Sequence, residues 1–158
     1  MSLTREQKIK KIKILRELKM RECVKSYYAF FCFMWDVLND ENLVANWHIE
    51  YLCNELQRRS QYIFDRENKP NDLHINIPPG CSKSSIVTVF WNAWLWLHDP
   101  SIVVISSSYS ASLSVDHSIK TRDLIRSSKF NNIFNSTGGY FEKTHGRRLE
   151  IKKDRDRS

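Results

Sequence analysis

The most constraining feature of the chain is a change of period around one short loop. Leu73, Ile75 and Ile77 alternate with His74 and Asn76, the period-two pattern of a strand. From Ser84 to Leu97 the apolar residues Ile86, Val87, Phe90, Trp91, Trp94 and Leu95 recur at helical spacing instead. Between them lies Ile77-Pro78-Pro79-Gly80-Cys81-Ser82-Lys83-Ser84. A second β-branched run, Ile102 to Ile105, follows the turn at Asp99-Pro100 and reads as a buried strand. Strand, loop, helix and strand form a βαβ unit. The predicted fold is therefore α/β, with a mainly parallel sheet flanked by helices.

The loop has the chemistry of a phosphate cradle. Such a cradle needs a tight turn whose backbone N–H groups converge on an anion, and a helix N-terminus behind them. It also needs a Lys for the terminal phosphates and a neighbouring hydroxyl for Mg²⁺. Gly80 permits the turn, Lys83 supplies the charge and Ser84 the hydroxyl. The match to the G-x-x-x-x-G-K-[ST] pattern is partial. Ile77 and Ser82 stand where the two glycines belong, and only Lys83-Ser84 fits strictly. The alternative is a proline-rich turn beside a chance Lys-Ser.

The rest of the chain reads mostly as helix. Thr4 and Gln7 form a capping box, and Ile9, Ile12, Leu15 and Leu18 follow at helical spacing, giving a first helix to about Lys25. Tyr27 to Leu38 is apolar nearly all round, as in a buried helix. A third helix opens near Asn46, with Ile49, Leu52, Cys53, Leu56 and Ile63 on one stripe. Ser106 to Ser112 is a polar stretch with N-cap candidates, leading into a helix over roughly Ala111 to Ser127. Gly138-Gly139 reads as a turn. Tyr140 to Thr144 and Arg148 to Lys152 read as arms of a hairpin. The predicted organisation is a helical N-terminal extension over 1–45 and a partial domain over 46–158.

Charge and cysteine content narrow the functional classes. The chain has 25 Lys+Arg against 18 Asp+Glu, a net charge of +7, with the excess at the two ends. Met1 to Lys25 holds nine cations and three acids, and Arg147 to Ser158 six and three. That balance suits an anionic partner or, equally, two solvated ends. No apolar run approaches the roughly 20 residues that span a bilayer, and no secretory pattern opens the chain. Cys23, Cys32, Cys53 and Cys81 have no metal-ligand spacing and read as free thiols in a reducing compartment. Trp91, Trp94 and Trp96 read as core packing rather than a stacking platform.

The loop and its flanks resemble the N-terminal ATPase region of tailed-phage terminase large subunits. One branch of that family carries Pro-Pro-Gly, two variable residues and Lys-Ser, as in Pro78-Pro79-Gly80-Cys81-Ser82-Lys83-Ser84. Trp47-His48-Ile49 resembles an upstream Trp-His element, and Phe90-Trp91-Asn92-Ala93-Trp94-Leu95-Trp96 the aromatic helix after the loop. Ser107-Ser108-Tyr109-Ser110 through Arg122-Asp123-Leu124-Ile125 resembles the segment beyond.

The resemblance implies a P-loop ATPase that binds ATP and Mg²⁺ to drive double-stranded DNA into a procapsid. Pro79, Gly80, Cys81, Ser82, Lys83, Ser84 and Ser85 would hold the nucleotide, with Lys83 on the β/γ-phosphates and Ser84 on Mg²⁺. His48 would contact adenine, or else serve as a capping or core histidine. An arginine finger would be Arg122, Arg147 or Arg148, each of which also reads as a surface ion-pair partner. Implied partners are a small terminase subunit, a portal protein and further copies in a ring, in the cytoplasm of an infected bacterium.

An acidic pair after an apolar strand is missing. Glu142, Glu150, Asp154 and Asp156 follow no such run. Nuclease carboxylates are missing too, so the chain reads as the front of a longer motor. Two other readings stay open: a non-hydrolysing nucleotide or nucleic-acid binding module, and a helicase-like P-loop ATPase.

Overall fold

The computed structural model describes residues 4–135, and these form helices joined by turns and irregular segments. Helix α1 spans Arg5–Lys25, α2 Tyr27–Met34 and α3 Trp47–Phe64. A single 3₁₀ turn, Trp35–Val37, follows α2. A π-helical stretch, Ser85–Phe90, runs directly into α4, Trp91–His98. Helix α5 is Ala111–Arg126, and α6, Ser128–Phe130, ends in a second π-helical stretch, Asn131–Asn135.

Local chemistry sets most of these ends. Thr4 and Gln7 close the capping box in both directions, at 3.0 and 3.3 Å. Ser26 interrupts the helical path by capping α2, its hydroxyl accepting from the Ala29 N–H at 3.2 Å. Ser110, from the predicted polar stretch, caps α5 by accepting from the Leu113 N–H at 3.3 Å. Asn46 precedes α3 without a side-chain cap bond.

The core is one cluster fed by every helix. Tyr27, Phe30, Phe31 and Met34 of α2 meet Ile49, Leu52, Cys53 and Leu56 of α3. Ile86, Phe90 and Trp94 pack against them, and Phe130 and Phe134 close the far side. Aromatic rings supply much of the contact. Phe31 meets Phe90 nearly edge-on at 5.0 Å between centroids, and Tyr27 meets Trp94 at 5.4 Å. All three tryptophans of the predicted core cluster find polar partners for their indole N–H. Trp91 donates to the Ser60 hydroxyl, Trp94 to the Cys23 carbonyl and Trp96 to the Ile102 carbonyl, at 2.8–2.9 Å.

The predicted α/β fold with a mainly parallel sheet is wrong for the described residues, which contain no strand and no sheet. The segments 73–77 and 102–105 do keep a two-residue alternation of burial. Leu73, Ile75 and Ile77 pack on the core while His74 and Asn76 face solvent. Ile102 and Val104 pack inward while Val103 and Ile105 are 85% and 90% exposed. Alternation reports that one side is covered, whereas a strand also needs a backbone partner. Among the described residues no backbone hydrogen bond joins these segments. Ile102, which would open the second strand, has both backbone groups engaged locally. Its N–H donates to the Asp99 carbonyl at 3.2 Å and its carbonyl takes the Trp96 indole. The predicted Gly138-Gly139 turn and the hairpin over 140–152 lie outside the described residues.

Candidate functional site

Residues 72–78 lead into a turn at Pro79-Gly80, and helical backbone begins at Lys83. The turn carries two left-handed residues, Gly80 at φ +84° and Ser82 at φ +55°. Cys81 between them and Lys83 after them are not left-handed. Where left-handed and right-handed residues alternate, successive N–H groups converge into a concave nest that takes an anion. Glycine is required at position 80 by conformation alone. A methyl group built there would meet nothing within 4 Å.

Ser82 is the more informative of the two. A left-handed backbone at a non-glycine residue costs about 1–2 kcal/mol. Ser82 stands where the general phosphate-loop pattern has its second glycine. The Ser82 carbonyl accepts the Ile86 N–H at 2.9 Å, which closes the first helical turn. The preceding N–H groups, of Lys83, Ser84 and Ser85, have no carbonyl one turn back and point out of the helix end.

Around the nest, Cys81, Ser82, Lys83 and Ser85 are half-buried, and Pro79, Gly80 and Ser84 are exposed. Among the described residues no carboxylate pairs with Lys83. Ser84 is exposed at the start of the helix. N–H donors, an ammonium and a hydroxyl at one helix start suit a phosphate with a hard cation that keeps several waters. Among the described residues no cluster of His, Cys, Asp and Glu is built to hold a metal without such a phosphate.

Two hydroxyls from other helices, those of Tyr27 and Thr121, reach the helix that follows, and Asn92 of its own continuation bonds back to it. The Tyr27 hydroxyl donates to the Ile86 carbonyl, which also accepts the Trp91 N–H in the π-helical pattern. The Asn92 amide donates to the Thr88 carbonyl at 2.7 Å. The Thr121 hydroxyl makes a longer 3.5 Å contact to the Val89 carbonyl. Side-chain donors inserted into a helical ladder favour such wide turns, which recur at functional sites. The sequence does not disclose Tyr27 or Thr121 in these roles. Tyr27 reads there as one more core aromatic, and its target lies 59 positions away.

His48 sits in the first turn of α3, which packs against the 85–90 stretch. Its Nε2 is enclosed and has no hydrogen-bond partner in the structure. The Trp47 ring stands edge-on to it at 6.2 Å and is 79% exposed. Arg122 lies on the outer side of α5, where its guanidinium reaches the Asp123 carboxylate at 3.3 Å. Arg147, Arg148, Glu142, Glu150, Asp154 and Asp156 lie outside the described residues.

The four cysteines are free thiols. Burial pushes Cys23 up to about 12 and also raises Cys32 and Cys53. Among the described residues no helix is long and apolar enough to cross a membrane. Compared with protein-family models, with curated proteins and with solved structures, the chain finds no match.

Proposed function

We propose that the chain binds the phosphates of ATP with Mg²⁺ through residues 79–85. The observation that carries this reading is the left-handed Ser82 between Gly80 and the helix start at Lys83. A conformational cost is maintained there in a solvent-facing loop, and it turns N–H groups toward one point. The reading rests on the loop and the helix end and does not depend on a sheet.

Each residue has a task set by its chemistry. The N–H groups around Gly80, Cys81 and Ser82 hold phosphate oxygens, and Lys83 neutralises the terminal phosphates. Those of Ser84 and Ser85 add donors at the positive end of the helix. The Ser84 hydroxyl is the protein ligand for Mg²⁺, whose bound charge would polarise the phosphates. The Nε2 of His48 is enclosed and unpartnered, so contact with an adenine amino group would require its ring to become accessible.

In the wider reading supported by the resemblance, this is the nucleotide-binding part of a viral DNA-packaging motor acting in the cytoplasm of an infected bacterium. Its partners there are double-stranded DNA, a small terminase subunit, a portal protein and further copies of the chain. Arg122, now beside Asp123, would have to leave that ion pair to act as an arginine finger.

Thermal unfolding with and without ATP–Mg²⁺ tests the core of the proposal. At about a hundred times its Kd, the ligand should add about 2.7 kcal/mol of stability. Lys83→Ala should remove most of that gain. Equal gains in wild type and variant would place the nucleotide elsewhere.

A further inference from the structure

Helix α1 enters the core only near its end. Cys23 is buried, and Met20 and Val24 pack on the cluster, but residues 4–16 are exposed throughout. Five large aliphatic side chains on this arm, Ile9, Ile12, Ile14, Leu15 and Leu18, are 49–58% exposed. A helical arm lacking tertiary support is marginal in water even with a good N-cap.

The distribution of its side chains is specific. At about 100° per residue, Ile9, Ile12, Leu15 and Leu18 share one half of the helix with Arg5, Lys8, Lys11 and Arg16. Among the described residues none of these four cations has an ion-pair partner. The acid on that half, Glu22, is taken by Lys19 at 2.9 Å. Glu6 and Glu17 lie on the opposite half, where Glu17 takes Arg21 at 2.6 Å. The result is a surface of aliphatic knobs interleaved with unpaired cations.

Three occupants suit this surface poorly. A second copy would bring like charge against like. A bilayer surface needs an apolar stripe free of charge, and here Lys8, Lys11 and Arg16 stand between the aliphatic residues. Nucleic acid would satisfy the cations but press four aliphatic side chains against phosphate and water. A helix carrying apolar residues interleaved with carboxylates satisfies both components at once.

We propose that the exposed half of α1, through Ile9, Ile12, Leu15 and Leu18 with Arg5, Lys8, Lys11 and Arg16, docks an acidic amphipathic helix of a partner protein. This is independent of nucleotide binding at residues 79–85.

The test is fluorescence anisotropy of a labelled synthetic helix of Leu and Glu at amphipathic spacing, titrated with the full chain. A scrambled peptide of equal composition, a DNA duplex, and vesicles of phosphatidylcholine with phosphatidylserine serve as rivals. The patterned peptide should bind best of the four. The pair Ile12→Ser/Leu15→Ser and the pair Lys8→Gln/Lys11→Gln should each weaken it about tenfold. These positions are exposed, so unchanged thermal unfolding would show the variants intact. The proposal fails if the patterned peptide does not bind, or if the scrambled peptide, the duplex or the vesicles bind as well or better. It also fails if only the charge pair matters, since that is attraction without docking.

Discussion

The hydroxyl of Tyr27 donates to the carbonyl of Ile86, tying the first residue of α2 to the first turn of the helix that follows the loop at Pro79–Ser82. Tyr27 is fully buried, and burial holds its phenol well above the ordinary range, so it stays a donor at any working pH. Tyr27→Phe should cost about 0.5–1.5 kcal/mol, the net worth of one such bond. The Ile86 carbonyl keeps the Trp91 N–H, so the loss should not reach that of an unpaired buried group. Urea unfolding of the variant should show a lower midpoint with an unchanged slope.

Backbone hand in the loop can be probed by substitution. Gly80→Ala places a side chain at φ +84° and should destabilise by about 1 kcal/mol or more through conformation alone, because space is open there. Ser82→Gly relieves the left-handed cost but adds freedom to the unfolded chain, so the two should cancel to within about 0.5 kcal/mol. Ser82→Val, β-branched and left-handed, should lose more than about 1 kcal/mol. If Ser82→Val is as stable as Ser82→Gly, the assigned hand at this position is incorrect.

Acid sensitivity should come in part from His98. Its ring lies 4.4 Å from Trp94 and 4.8 Å from Phe64, and its Nε2 is enclosed without a partner. Burial lowers its pKa below the ordinary 6.5, against a weaker opposing effect of the Val24 backbone. The unfolded chain therefore takes up this proton at higher pH than the folded one. Stability should fall as pH drops below about 6.5, and the fall should stop once folded His98 is itself protonated. Chemical unfolding at several pH values, repeated with His98→Gln, should show a shallower acid slope in the variant.

Thiol reactivity should separate Cys81 from the core cysteines. Cys23 and Cys53 are buried, and burial raises both thiols, which keeps them protonated at pH 8. Cys81 is half-exposed within the nest. Iodoacetamide should modify Cys81 well before Cys23 or Cys53, as read by peptide mass. ATP–Mg²⁺ should slow that modification, and Lys83→Ala should abolish the protection.

Trp94 is the side chain whose loss should be felt most widely. It is 2% exposed, meets the rings of Tyr27 and Phe64 at a tilt, and donates to the Cys23 carbonyl. Trp94→Ala should cost about 3–5 kcal/mol by leaving a large cavity. Calorimetry would read this as a large loss in Tm or as failure to fold.

The parts legible in the sequence were those decided within a few residues. Thr4 and Gln7 specify the start of α1 by their own hydrogen bonds, and Ser110 caps α5 in the same way. Of the predicted stripe, Ile49, Leu52, Cys53 and Leu56 are buried, while Ile63 at the end of α3 is exposed. Pairing between segments is not local, so the alternation at 73–77 and 102–105 suggested a sheet that the described residues do not form. The spacing of Ile9, Ile12, Leu15 and Leu18 gives a helix but not its neighbours, and these residues stand in solvent. Within the loop, the sequence singled out Gly80, Lys83 and Ser84 by residue type, and the structure places all three at the turn and the helix start. The left-handed turn at Ser82 and the reach of Tyr27 to Ile86 depend on tertiary geometry, which residue type does not encode.

The run Ile102-Val103-Val104-Ile105 sets a limit on how the protein can be handled. Val103 and Ile105 offer two bare β-branched side chains on a run that, among the described residues, pairs its backbone with no other extended segment. Chain of this kind is a template for intermolecular sheet growth. Concentrated samples should therefore cloud over time, faster at high salt where the net charge of +7 repels less. A lysine in place of Val103 would act as a gatekeeper, prolonging storage life while leaving the packed side chains of Ile102 and Val104 in place.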